Sequence, residues 1–230
     1  MLFKSPVYSQ ASGAVAGLVY SHNAGGMYVR ARATPTNPNT VPQQAVRDAM
    51  RQLVMAWTNT LTDVQVAAWE TYAFNTPTLN RLGEATTKNG QQMYIRGNVS
   101  RLQAGLPRAD DPPTVFDTGT FTPVDALVAD GSADTISIGF DNTDEWANED
   151  DSAMLIYMGR PQNHTRNFGK GPFQLLTRID GDGTTPPTSP VVAASLFPLS
   201  LGQKVFLQVR VTRADGRLSG KQNPTVPVTP

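Results

Sequence analysis

The sequence contains no cysteine among its 230 residues, which excludes disulfides and thiolate metal sites. It has only two histidines, and charged residues make up 17% of the chain. No apolar run approaches the length of a membrane-spanning helix. The first six residues have neither the charged nor the apolar segment of a signal peptide. We therefore expect synthesis in a cytoplasm, with the protein staying there or leaving only as part of a particle.

The net charge is zero, but its distribution along the chain is uneven. Residues 1–109 carry ten Lys or Arg and four Asp or Glu, whereas residues 110–230 carry nine and fifteen. This asymmetry predicts two domains, 1–110 and 111–230, with a boundary near residues 107–113. Unlike charges could meet between neighbouring copies or within one monomer, and the sequence leaves both readings open.

Three helix starts follow the capping-box pattern, in which a short polar residue precedes Gln by three positions. The pairs are Thr40 with Gln43, Thr62 with Gln65, and Asn89 with Gln92. An apolar stripe at helical spacing follows each pair, so we predict three helices. Trp57 and Trp69 should face a shared seam between the first two. Pro77 marks the end of the second helix, residues 76–88 form a loop, and Gly105 helps to end the third.

The N-terminal segment has strand periodicity. Residues 7–33 predict a β-hairpin that turns at residues 23–26. Tyr28, Arg30 and Arg32 alternate with small or apolar residues and should share one basic face.

From about residue 114 the apolar pattern changes to short or alternating runs. These runs predict strands at 135–140, 154–158, 173–179 and 205–211. Such spacing is typical of an antiparallel sandwich. Residues 202–219 resemble the last hairpin of a fibronectin type III module, and the Pro/Thr-rich residues 223–230 should form an extended tail. The predicted fold class is α+β: an N-terminal β-hairpin with three helices, and a C-terminal antiparallel β-sandwich of the Ig or fibronectin III type.

Catalytic and metal-binding patterns are weak. His22 and His164 lack partners at ligand spacing and are expected to be solvated. Residues 180–183 (Asp-Gly-Asp-Gly) begin like a calcium loop but lack its later ligands, which favours a turn. The acidic run at 144–151 is expected to be a solvated loop, and Gly169-Lys170 lacks the Walker spacing. We predict no enzyme activity, no cofactor and no metal.

Arginine dominates the basic residues of the N-terminal half. We call seven of these arginines the basic set: Arg30, Arg32, Arg47, Arg51, Arg96, Arg101 and Arg108. They spread over several predicted elements without a recognition motif, so nucleic acid is an unlikely ligand and protein contacts are the favoured use. The candidate interface residues are Tyr28, Arg30, Arg32, Arg47 and Arg51.

The N-terminal half resembles a group of small proteins encoded in tailed-phage and prophage genomes. The matching residues are the Gly-rich hairpin from Gly13 to Arg32 with its Tyr-x-Arg-x-Arg end, Pro35 to Thr40, Gln44, Arg47, Trp57, Leu61, Thr62, Gln65, Ala68, Trp69, Tyr72, Ala73 and residues 89–107. The resemblance covers about residues 1–110. It implies a structural protein of the virion, made in the host cytoplasm, without implying a position in the particle.

We therefore expect a non-enzymatic virion protein that decorates the capsid. Its partners would be other virion proteins, with further copies of itself in the particle and no membrane. The hairpin edge and the tail suit strand addition to a neighbouring subunit. A structural role in the neck or tail is the alternative placement. A carbohydrate-binding adhesion module is a further alternative, and it depends on Trp146 in a predicted loop.

Overall fold

The computed structural model describes residues 11–23, 26–79, 85–169 and 171–230. The chain divides into two compact units, Met1–Val41 and Pro42–Pro230. Four predicted features fall wholly or partly outside the described residues. These are the start of the N-terminal hairpin at 7–10, its tip at 24–25, part of the 76–88 loop at 80–84, and Lys170 of the Gly-Lys pair.

The first unit contains a three-stranded antiparallel sheet. Its strands are β1 (Gly13–Val15), β2 (Leu18–Asn23) and β3 (Gly26–Ala31), in that order. Tyr20 lies opposite Val29 in the β2–β3 ladder. The predicted hairpin is thus confirmed over its described residues, and β1 adds a third strand through a turn at Ala16 and Gly17, both with positive φ.

Three helices follow, close to their predicted positions. They are α1 (Val41–Asn59), α2 (Asp63–Asn75) and α3 (Gly90–Gln103). Capping boxes start α2 and α3: the Thr62 hydroxyl accepts from the Gln65 amide at 3.3 Å, and the Asn89 side chain accepts from the Gln92 amide at 2.8 Å. Each cap satisfies an amide that the first helical turn leaves without a partner.

The predicted loop at residues 76–88 is only partly irregular. Strands β4 (Thr78–Leu79) and β5 (Ala85–Thr86) pair antiparallel within it. Two-residue strands are too short for a periodic apolar signal, which is why the sequence pattern indicated a loop.

The helices share an aromatic core in which Trp57 and Trp69 both pack against Tyr94 of α3, rather than meeting in a seam between the first two helices. The Tyr94 ring lies 5.7 Å from Trp57 and 5.5 Å from Trp69, centroid to centroid. Trp69 is fully buried, and its indole Nε1 donates to the carbonyl of Asp110 at 3.0 Å. A buried indole N–H needs such an acceptor.

The remaining strands form one eight-stranded mixed sheet. They are β6 (Asp125–Asp130), β7 (Thr135–Gly139), β8 (Ala153–Gly159), β9 (Gln162–Asn163), β10 (Phe173–Asp180), β11 (Val191–Ala194), β12 (Gln203–Thr212) and β13 (Thr225–Thr229). The order is β10-β8-β12-β13-β6-β7-β11, and β9 pairs with β12. The four predicted strands correspond to β7, β8, β10 and β12. The predicted purely antiparallel pairing is wrong at one place, because β13 runs parallel to β6.

The tail is extended, as predicted, but the prediction that it suits strand addition to a neighbouring subunit is wrong. Residues Thr225–Thr229 form β13, which lies between β12 and β6 in the middle of the sheet. Val226 and Val228 are buried in the core, while Pro227 is exposed between them. Both edges of this strand are therefore used within the chain, so it cannot add to another subunit without leaving its own sheet.

The sheet is covered on both faces near β8. Met154, Ile156 and Met158 contribute to the main apolar core, whereas Leu155 lies on the opposite face with Leu106. Alternate strand residues point to opposite faces, and the second face is covered by the segment after α3. This explains why β8 is apolar at nearly every position.

Arg101 links α3 to the sheet. Its side chain is 1% exposed and donates to the carbonyls of Pro107, Asp151 and Arg213 at 2.9, 3.0 and 2.6 Å. Burial lowers the pKa of Arg101, an effect opposed by nearby Asp151 and two other carboxylates. The helices α2 and α3 thus belong to the same compact unit as the sheet. The division into domains 1–110 and 111–230 stays a prediction.

Candidate interaction surface

The five residues predicted for an interface fall into two groups, one on each compact unit. Tyr28 and Arg30 lie in β3, and Arg32 follows that strand. Their spacing of two places them on one face, with both arginines exposed and Tyr28 half-buried. The Arg32 amide donates to the Gly17 carbonyl at 2.7 Å, which holds the end of the strand against the β1–β2 turn. The predicted basic face therefore exists in the first unit.

The N-terminal sheet contributes little to any apolar core. Of residues 11–22 and 27–41, none is buried. Val15 is 66% exposed and Leu18 is 40% exposed, although both are apolar. A small sheet gains stability mainly by covering an apolar face. This sheet therefore offers exposed apolar side chains and arginines to a binding partner.

Helix α1 carries a second exposed apolar surface. Ala49, Leu53 and Ala56 are its buried residues. Val46, Met50 and Val54 follow one another at intervals of four and are 43%, 38% and 42% exposed. We call these three residues the α1 strip. Residues four apart lie on one helix face, so the strip is continuous. It widens the apolar face of α1 beyond the part that the core covers.

The two α1 arginines that were predicted for an interface border this strip on one side. Arg47 and Arg51 are four residues apart and lie on the same side of the helix. Arg51 pairs with Asp48 at 3.1 Å, with both side chains more than half exposed. An exposed pair of this kind contributes little to stability, so its charges remain accessible to a partner.

Replacing all three residues of the α1 strip with Gln is expected to change the free energy of unfolding by less than about 1 kcal/mol, because exposed side chains contribute little to the core. Leu53→Gln is the matched control: Leu53 is fully buried in the same helix, and its replacement should cost roughly 3 kcal/mol or more. Urea denaturation measures both. A loss from the triple variant as large as that from Leu53→Gln would show that the strip belongs to the folded core.

The acidic run at 144–151 lies in a loop with exposed members, as predicted, but several of its carboxylates also make internal contacts. Asp144 is 5% exposed and accepts from the amide and hydroxyl of Thr122 at 2.7 and 2.9 Å. Arg213 pairs with Glu145 at 3.0 Å and also with Glu149. These carboxylates hold residues 118–122 and the end of β12 together. Among the described residues, no group of three His, Cys, Asp or Glu is placed to hold a metal ion.

The two histidines are exposed, as predicted, His22 in β2 and His164 after β9. The Asp-Gly-Asp-Gly segment begins with the last residue of β10 and continues into a long connection to β11, rather than forming a tight turn. A side chain at Gly181 would clash with the Trp146 carbonyl and the Ser152 hydroxyl. The glycine there allows two loops to approach closely, which gives the motif a structural explanation.

Trp146 does lie in the loop between β7 and β8, but it is fully buried in the main core. Its ring lies 5.5 Å from Phe140, centroid to centroid. Trp69 is equally buried, and Trp57 is partly buried against the helical core. The expectation that Trp146 could stack on a sugar at the surface is therefore wrong.

Several arginines of the basic set are used inside the protein. Arg101 binds three carbonyls, as described above. Arg108 forms a two-point contact with Asp110, at 2.5 and 2.7 Å. The hydrogen bond from Arg108 holds the pKa of Asp110 below its ordinary value. These two arginines therefore make contacts within the protein.

Two cationic residues that no sequence pattern indicated, Arg210 on β12 and Lys221 after it, line a cavity beside α3. The alternation of β12 shows that Arg210 points away from the main core, because Val209 and Val211 are buried. No sequence signal shows that α3 lies over that outer face.

The comparisons with known proteins identify no relative. No family model, no curated protein and no solved structure matches the chain. No helix among the described residues is long and apolar enough to cross a membrane.

Proposed function

We propose that this chain is a non-enzymatic structural protein of a tailed-phage virion, and that it decorates the capsid. The observation that carries the proposal is the N-terminal sheet, in which no side chain of residues 11–22 and 27–31 is buried. A sheet of this kind is suited to docking on another protein surface, where its apolar side chains become covered. The sequence resemblance over residues 1–110 supports a virion as the place of that surface.

The α1 strip and its arginines supply a second contact region. Apolar residues bordered by arginine match the usual composition of protein interfaces. The partners would be other virion proteins, such as the major capsid subunit or a neck or tail subunit, together with further copies of this chain. In this proposal the chain is a component of the virion after synthesis in the host cytoplasm.

The eight-stranded sheet would form the projecting part. We propose that it is a sandwich of the Ig or fibronectin III type. Two observations support this: residues from β7, β8, β12 and β13 meet in one core, and the edge strands β10 and β11 lie near each other. A sheet that curves around one core in this way leaves its connecting loops accessible to neighbours.

Quantitative mass spectrometry of purified particles tests the proposal, with the major capsid protein as the internal reference. Copies on the order of hundreds, in a simple ratio to the capsid protein, are expected for decoration. Roughly six to a few dozen copies would place the chain in the neck or tail instead. Absence from the particle would contradict any structural role in the virion.

The α1-strip variant gives this experiment a control at the level of residues. Particles made with the triple Gln variant should carry several-fold fewer copies, because the apolar contact is lost while the fold is kept. Substitution of the exposed Val192 on β11 serves as the matched control, since it removes apolar surface elsewhere. Equal loss from both variants would show that the strip has no special part in docking.

A further inference from the structure

A cavity of about 390 Å³ lies between α3 and the outer face of β8 and β12. Ser100 and Gln103 line it from the helix, Tyr157 and Gln208 from facing strands, and Arg210 and Lys221 complete its polar wall. Tyr157 and Gln208 are directly opposite each other in the β8–β12 ladder. The cavity is therefore built on regular elements of one compact unit.

The two cations of this cavity lack an acidic partner. The Nε atom of Arg210 is buried and has no hydrogen-bond partner among the residues that the structure describes. Lys221 Nζ donates to the neutral Gln208 Oε1 at 3.2 Å. The salt bridges found in the described part of the chain include neither residue.

Three other arginines on and near this sheet form ion pairs with carboxylates. Arg213 contacts Glu145 and Glu149, Arg217 contacts Asp215, and Arg178 contacts Asp180. Pairing is the usual condition of a guanidinium that is removed from water. Arg210 differs from these three arginines because it has no carboxylate partner within the described ranges, and it faces the cavity.

The electrostatic surroundings increase this imbalance. Burial lowers the pKa of Arg210, and the Arg96 charge lowers it further, against the opposite effect of Tyr157. Burial also lowers the pKa of Lys221, and the Arg210 charge adds to that effect. Both cations are thus less stable here than in water, and a negative charge between them would relieve both.

We propose that this cavity binds a small oxyanion, a phosphate or a carboxylate, between Arg210 and Lys221. Charge-assisted hydrogen bonds from a guanidinium and an ammonium are the strongest that side chains make to such groups. Ser100 and Tyr157 both line the cavity, so the polar wall beside the cations includes two hydroxyls. This site is independent of the surfaces proposed for docking.

Thermal unfolding of the full chain tests the site with inorganic phosphate, citrate and sodium chloride at equal ionic strength. At a hundred times the Kd, a bound oxyanion should raise Tm by roughly 5–10 °C above the chloride sample. A shift with phosphate alone would identify a phosphate site, and a shift with citrate alone a carboxylate site. A shift with neither, relative to chloride, would overturn the proposal.

Two substitutions locate the effect. Arg210→Gln and Lys221→Gln should each weaken oxyanion binding by about tenfold or more, as measured by calorimetry. Arg160→Gln is the control, because Arg160 is an exposed arginine that contacts the Phe197 ring and does not line the cavity.

Lys221→Gln decides the test if Arg210→Gln fails to fold. Lys221 is exposed, and its removal takes away a like charge beside Arg210, so its Tm without oxyanion should equal or exceed that of the wild type. Wild-type affinity in the folded Lys221→Gln variant would place the anion elsewhere and overturn the proposal.

Discussion

Arg101→Met is expected to lower the free energy of unfolding by roughly 3–5 kcal/mol. Methionine replaces the aliphatic part of the side chain but donates no hydrogen bond. The carbonyls of Pro107, Asp151 and Arg213 would each lose a donor. The site is buried, since Arg101 itself is only 1% exposed. A buried carbonyl without a donor costs about 1–3 kcal/mol, which makes this one of the most sensitive positions in the chain.

Urea denaturation of the full chain measures the effect, with Arg51→Met as the control. Arg51 lies on the surface of α1 in an exposed ion pair, so its replacement should cost no more than about 0.5 kcal/mol. Equal losses from the two variants would contradict the role assigned to Arg101.

Gly97→Ala is expected to lower the free energy of unfolding by roughly 2–3 kcal/mol. In most helices this change is favourable by about 1 kcal/mol, because glycine is a poor helix former. Here a Cβ on Gly97 would clash with the carbonyl oxygen of Gly216 and lie 3.2 Å from its carbonyl carbon. The Gly216 loop is a turn closed by two backbone hydrogen bonds, from the Gly216 amide to the Arg213 carbonyl at 3.0 Å and from the Arg213 amide to the Arg217 carbonyl at 2.9 Å, so it cannot easily move aside. Steric overlap therefore outweighs the gain in helix propensity.

The matched control is Gly220→Ala, a position where an added Cβ would meet no atom within 4 Å and where φ is not positive. Its expected effect is within about 0.5 kcal/mol. Thermal unfolding distinguishes the two variants. A stabilised Gly97→Ala protein would mean that α3 and the Gly216 loop are not in close contact, and it would also weaken the account of Arg101.

The local elements could be predicted well from the sequence. The capping boxes at Thr62 and Asn89 start helices where predicted, since a cap involves residues only three positions apart. The alternating run before Phe140 became β7 for a similar reason. Signals of this kind lie within one short segment, and no distant residue is needed to read them.

One missed strand, β13, depends on distant partners. β13 is rich in Thr and Pro and resembled an extended tail, yet it pairs with β12 and β6. Pro227 removes a backbone donor, which usually argues against a central strand. Partners about 20 and 100 residues earlier in the chain overcame that local preference, and no periodicity within the tail could have revealed them.

The candidate sites show the same division. The basic face at Tyr28, Arg30 and Arg32 follows from strand alternation, so the sequence by itself determined it. The sequence also determined the three helices and four strands of the large sheet. The tertiary structure alone decided that Trp146 is buried, that Arg101 binds carbonyls, and that Arg210 faces a cavity without a carboxylate. The physical reason is that capping and periodicity are local, whereas burial and charge pairing depend on which distant segments the fold brings into contact.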